Sequence, residues 1–210
     1  MISLSRPLGL SLTRPCNWLM ALLAFSAWPL AGCNRAEKTA APVVAAAPTQ
    51  ADLDRQQQID AKAAFAAALA ANDAVKMEDL ANTGNGFALL HRAQTLMASQ
   101  DFNNHASGVA DMEAAADAGA AEAQLWVGSR MAEGIDGYSL KPNSGIMMVE
   151  KAANQGLGQA MLDLGRLYQT SLMRDLKKSR AWYQKAADAN VDGAKDALAA
   201  FDKVASDTAP

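Results

Sequence analysis

Small and apolar residues beyond residue 86 fall into blocks that return at a fixed interval. Ala123, Gly128 and Met131 reappear as Ala160, Gly165 and Tyr168, each 37 residues later, and the same set stands 35 residues earlier as Ala88, Ala93 and Leu96. A second register advances with the first: Ala114-Ala115-Ala116-Asp117-Ala118-Gly119, then Lys151-Ala152-Ala153-Asn154-Gln155-Gly156, then Lys185-Ala186-Ala187-Asp188-Ala189-Asn190. A period of 34 to 37 residues holds two antiparallel helices and their turns. One such hairpin cannot bury its apolar side without a neighbour. The pattern therefore predicts an all-α fold, a short α-solenoid of about three stacked helical hairpins over residues 84–193, the first of them degenerate.

Local signals agree with that reading. Gly128 and Gly165 on the first helix of a hairpin, and Gly108, Gly145 and Ser179 on the second, let two backbones approach closely. Gly119, Gly156 and Asn190 fall where a helix ends in a left-handed residue. Asn104 and Asp175 are expected as N-caps, and Pro142 suits a first helical turn. Residues 133–141, with Gly134 and Gly137, supply the longer loop of the middle repeat. Residues 51–83 read as a capping region: a helix capped by Asp52 or Asp54, with Leu53, Ile59, Phe65 and Leu69 as its apolar side. A break is expected near Asn72-Asp73 and a stop at Thr83-Gly84-Asn85-Gly86. Residues 194–210 read as a closing helix with Leu198 and Phe201 inward, Asp196 and Lys203 outward, and a tail that frays from Ser206.

The stretches AMLDLGRLYQ with DLKKSRAWYQKAADAN, and AQLWVGSRMAEG with KPNSGIMMVEKAANQG, resemble the Sel-one-like repeat family, variable-length relatives of tetratricopeptide repeats. The likeness covers residues 120–194 well and 86–119 weakly. Asp111 and Met112, then Met148 and Val149, stand where the last repeat has Trp182 and Tyr183. In stacked hairpins the first helices line the concave surface. The residues opposite the packing positions Ala123, Val127 and Met131 are therefore the expected binding groove: Glu122, Trp126, Ser129 and Glu133, then Gln159, Asp163, Arg166 and Gln169. Phe87, Gln94 and Met97 are the weaker equivalents in the first repeat. Their mixed polar character suits a protein or peptide partner. Trp126 has two readings, an aromatic anchor for that partner or core against the preceding hairpin.

The amino terminus reads as an address. Arg6 and Arg14 precede an apolar stretch, residues 18–28, too short to span a bilayer as a stable helix. It ends in Leu30-Ala31-Gly32-Cys33, which resembles the lipobox of bacterial lipoproteins. Residues 1–32 would then be a signal peptide, and Cys33 the acylated first residue of the mature chain, tethered to the membrane without crossing it. Asn34, in place of the aspartate that retains such proteins in the inner membrane, implies the outer membrane, with the chain facing the periplasm. Residues 33–50, rich in alanine and proline, form a flexible linker. With Cys16 in the removed segment and Cys33 acylated, no thiol is left for a disulfide, a zinc site or a nucleophile.

Composition and charge narrow the function. With 6% aromatic residues and 50% hydrophobic ones, the core must be built from small side chains. The first 32 residues hold two arginines and no acid, so the remainder is more acidic than the whole chain's −3 and offers no basic footprint for nucleic acid. His91 and His105 are fourteen residues apart without metal spacing, and His91 beside Arg92 reads as outward-facing. No nucleophile elbow, phosphate-binding loop or dinucleotide fingerprint occurs. Glu113, Asp117 and Glu122 lie near one another at a helix corner, where solvation and capping explain them. The expectation is a non-catalytic interaction module without metal or cofactor. Alternatives are an immunity or inhibitor lipoprotein against a toxic effector, and a hydrolase of cell-wall material or β-lactams. The relatives linked to β-lactam-like ligands depend on paired cysteines that this chain lacks.

Overall fold

Thr49 opens α1 (Gln50–Ala70) by accepting from the Asp52 N–H at 3.2 Å, while the Asp52 carboxylate accepts from the Thr49 N–H at 3.0 Å. Two otherwise orphaned groups are thereby satisfied. Neither Asp52 nor Asp54 is the cap: the helix starts one turn earlier than the apolar pattern suggests, and Asp52 answers from inside it. The computed structural model describes residues 47–170 and 172–207. The signal segment, Cys33 and linker residues 34–46 lie outside them. Residues from 47 onward form one compact unit.

The break expected near Asn72-Asp73 is present. Asn72 takes a left-handed φ of 51°, and Asp73 caps α2 (Ala74–Asn82) by accepting from the Lys76 N–H at 2.9 Å. The apolar side expected for α1 is mostly not a packing face. Phe65 packs, whereas Leu53, Ile59 and Leu69 are exposed and Ala68 is the buried residue. The reason is that α1 meets chiefly α2 and α3, so most of its surface has no neighbour to bury against.

Three hairpins follow: α3 (Gly86–Met97) with α4 (Phe102–Asp117), α5 (Ala121–Glu133) with α6 (Pro142–Asn154), and α7 (Gly158–Thr170) with α8 (Leu176–Asp188). α9 (Ala194–Asp207) closes the stack. Each first helix packs on its own second helix, which packs on the first helix of the next hairpin. Among the described residues all regular structure is helical. Asp175 caps α8 and Pro142 opens α6, as expected. Asn104 does not cap α4; Asp101 does, accepting from the Asn103 and Asn104 N–H groups, so Asn104 lies one turn inside. Gly119 and Gly156 have φ of 91° and Asn190 of 54°, the left-handed stops expected for them.

The hairpins close at the small residues. A Cβ added to Gly145 would lie 2.4 Å from the Gly128 carbonyl oxygen and from the Ala132 nitrogen. Ser179 is buried and donates to the Gly165 carbonyl at 2.7 Å, while the Tyr183 ring covers Gly165. Alanines and glycines at these crossings let larger side chains such as Val149 and Tyr183 seat directly on the facing backbone. In α9, Phe201 is buried against Tyr183 with ring centres 5.9 Å apart, and Leu198 is half-buried. Asp196 and Lys203 face out, and the helix continues through Asp207, past the Ser206 where fraying is expected.

The first hairpin shares this geometry although its sequence departs. Arg92 occupies the place of buried Val127 and Leu164, and Asp111 the place of Met148 and Trp182. Where later hairpins pack apolar groups, the first has a bidentate Arg92–Asp111 pair at 2.7 and 2.9 Å. Arg92 also reaches Glu78 and Asn82 and so fastens α2.

Candidate binding face

The first helices α3, α5 and α7 lie side by side, and their outward residues form one face. On α5, Glu122, Trp126, Ser129 and Glu133 recur at helical spacing. On α7, Gln159, Asp163, Arg166 and Gln169 do the same. The structure brings the two rows together. Glu133 pairs with Arg166, Ser129 donates to Asp163 at 3.5 Å, and Gln159 donates to the same carboxylate at 3.3 Å. Gln169 sits at the end of the row and accepts from the Tyr183 hydroxyl at 3.3 Å. Burial first, then the Asp163 carboxylate, raises the Tyr183 pKa, against the opposing pull of Arg166.

A recess of about 360 Å³ opens between these helices. Its apolar floor is Leu90, Met112, Leu125 and Trp126; its polar rim is Gln94, Glu122, Ser129, Arg130 and Asp163. Glu122 is exposed, and Gln94 of α3 donates to it at 3.5 Å, a contact long enough to yield to a ligand. Of the weaker first-repeat residues, Gln94 joins this rim. Phe87 lines a second, larger recess of about 1050 Å³ beneath α1, and Met97 packs into the core. The two recesses share Leu90 and Glu122 in their walls, and the larger one is lined mostly by polar and charged side chains, among them Asp54, Arg55, Lys62 and Lys151.

Trp126 fits both of its readings in part. It is half-buried and packs against the core between the first two hairpins, yet it also floors the recess. The Arg130 guanidinium lies 3.7 Å over its ring, and Tyr138 stands edge-on at 6.1 Å. Arg130 is in turn held by Asp136 at 3.0 Å and donates to the Trp126 carbonyl. A ligand therefore meets a tryptophan already stacked by a cation and fixed in orientation. Repeat matching gave no weight to Arg130; its spacing four residues after Trp126 was the available signal.

The carboxylates grouped at the helix corner separate. Glu113 and Asp117 line a different cavity of about 520 Å³, with Asp136, Tyr138 and Lys141, while Glu122 faces the α3–α5–α7 recess. Glu122 is thus apart from the other two, while Glu113 and Asp117 share one cavity. Burial, and next Glu113, push the Tyr138 phenol above its ordinary range. His91 is exposed as expected, its ring 5.6 Å from Phe65 of α1. Among the described residues no three His, Cys, Asp or Glu side chains come together to hold a metal ion, and no helix is long and apolar enough to cross a membrane.

Stacked helical hairpins with small residues at their crossings and first helices facing a common recess define an all-α repeat solenoid. Residues 121–157 and 158–191 match the family model described as Sel1 repeat, so this part of the chain carries two Sel1-like repeats. The α3–α4 hairpin precedes the matched span. Two crystal structures share the fold. A Sel1 repeat protein from Oxalobacter formigenes is 24% identical with a TM-score of 0.52, covering 60% of this chain and 96% of that one. The protective antigen c5321, present in uropathogenic Escherichia coli strains and displaying an SLR fold, is 22% identical with a TM-score of 0.51, covering 62% of this chain. The chain spans 29% of c5321's length. The comparison with curated proteins found no match. Sel1 repeat proteins are generally protein–protein interaction modules, and the family is typically a non-catalytic scaffold.

Proposed function

We propose that the chain is a lipid-anchored interaction module of a bacterial envelope, held at the outer membrane through Cys33, whose α3–α5–α7 face binds a segment of a partner protein in the periplasm. The observation that carries the binding role is the recess with Trp126 as floor and Glu122 and Asp163 as rim. Their present hydrogen bonds are 3.3 to 3.5 Å long, so they stand ready for a donor on the partner. The anchor rests on Leu30-Ala31-Gly32-Cys33 after a short apolar stretch.

Two measurements test the two halves separately. Cys33→Ser is expected to move the protein from the membrane to the soluble fraction with its helical circular dichroism unchanged; retention in the membrane counts against the anchor. Glu122→Lys combined with Trp126→Ala is expected to abolish recovery of a crosslinked partner from native cells while the helical spectrum persists. Undiminished recovery counts against the recess as the binding site.

A further inference from the structure

In a stack of hairpins the turns joining the two helices of each hairpin fall on one edge, and the turns joining successive hairpins fall on the other. The first edge carries the α3–α4, α5–α6 and α7–α8 turns. On it Phe102 is 82% exposed and Leu172 79%, with Ile135, Leu140, Met173 and Leu176 also exposed. Turns 118–120, 155–157 and 189–193 on the other edge carry no exposed large apolar residue. So many apolar tips along one edge are an interaction surface rather than scattered exposure.

The charges around them say what the surface meets. Lys141, Arg174 and Lys177 are exposed on the same turns. Of the acids nearby, Asp136 is paired with Arg130 and Glu133 with Arg166, while Asp101 and Asp175 keep their charge at helix N-termini and are outnumbered by the three exposed cations. Isolated apolar tips with cations beside them match a phospholipid interface, where the tips pass below the headgroups and the cations lie among phosphates. We propose that this edge docks the protein on the surface of a bilayer containing anionic phospholipid. Phe102 and Leu172 enter the acyl boundary, and Lys141, Arg174 and Lys177 face the phosphates. The docking requires neither acylation of Cys33 nor an occupied recess, so it stands or falls apart from both.

The test uses the full chain with Cys16→Ser and Cys33→Ser, carrying a polarity-sensitive fluorophore on Phe102→Cys, Leu172→Cys or, on the opposite edge, Asp192→Cys. It is mixed with vesicles of phosphatidylcholine alone or of phosphatidylcholine with phosphatidylglycerol. On the mixed vesicles the emission at 102 and 172 is expected to shift to the blue while that at 192 stays unchanged. Lys141→Glu with Arg174→Glu and Lys177→Glu should weaken that response at least about tenfold. Probes at 102 and 172 that remain as polar as the probe at 192 on mixed vesicles overturn the proposal, even if the edge is then found to hold a protein. A response equal on both vesicle types, indifferent to the charge reversals, also overturns it.

Discussion

At Gly145 the space for a side chain is already taken by the neighbouring backbone. A methyl group there would sit 2.4 Å from atoms of α5 that cannot turn aside, so α5 and α6 must move apart. Gly145→Ala is expected to cost about 1–3 kcal/mol, the range for overpacking a tight contact. Gly137→Ala meets nothing within 4 Å and is opposed by its φ of +84° alone. It should cost about 1 kcal/mol. Urea denaturation midpoints for the two variants distinguish them, and equal losses would mean that close approach is not what Gly145 provides. This contact was legible beforehand, because glycine and serine recur at fixed places among alanines. The cap of α4 was not: Asp101 and Asn104 are both good caps in sequence, and loop geometry chooses between them.

At the scale of helices, the first hairpin shows what periodicity hides. Arg92 beside His91 reads as an outward position, yet its side chain is only 26% exposed and its partner Asp111 only 16%. Nothing local in the sequence joins residues nineteen apart on different helices. Arg92→Ala strands a half-buried carboxylate and should destabilise the hairpin by about 1–3 kcal/mol. Arg92→Val with Asp111→Met restores the apolar pairing of the later repeats and should recover most of that loss. It still releases Glu78 and Asn82, so amide exchange in α2 should remain faster than in the parent chain.

The end helices respond to pH. Hydrogen bonds from Thr49 hold the Asp52 carboxyl below its ordinary range, and the hydrogen bond from Arg180 does the same for Asp202, which joins α8 to α9. A carboxylate with a lowered folded-state pKa contributes its stability above the unfolded value, about 3.9, and loses it as the pH falls through the folded value. Protection of the amides at the start of α1 and in α9, measured against intrinsic exchange at the same pH, should therefore be higher near neutrality and fall below about pH 4. Protection that stays constant through that range would mean these contacts do not hold the ends.

For the molecule as a whole, the stack and its common face were the most legible features. Ala123, Gly128 and their equivalents reveal the period, and the period fixes which residues face away from the packing. On α5 and α7 the contacts Glu133–Arg166 and Ser129–Asp163 join the two rows of residues singled out there. The part played by the loop at Tyr138 was not legible, because a loop of irregular length has no period to read. The position of α1 was equally hidden, since alanines leave its packing side undefined. Its attachment is polar: Gln58 donates to the Ala118 carbonyl at 2.7 Å and Asn85 to the Ala61 carbonyl at 2.8 Å.

That stacked first helices hold a partner segment is tested most directly by photocrosslinking in native cells, with a photoreactive residue placed at Ser129 in the recess or at Met147 on the exposed side of α6. One dominant protein adduct from position 129, absent from 147 and lost on Glu122→Lys with Trp126→Ala, is the expected result. No adduct at 129, or the same adducts from both positions, would contradict a binding role for this face.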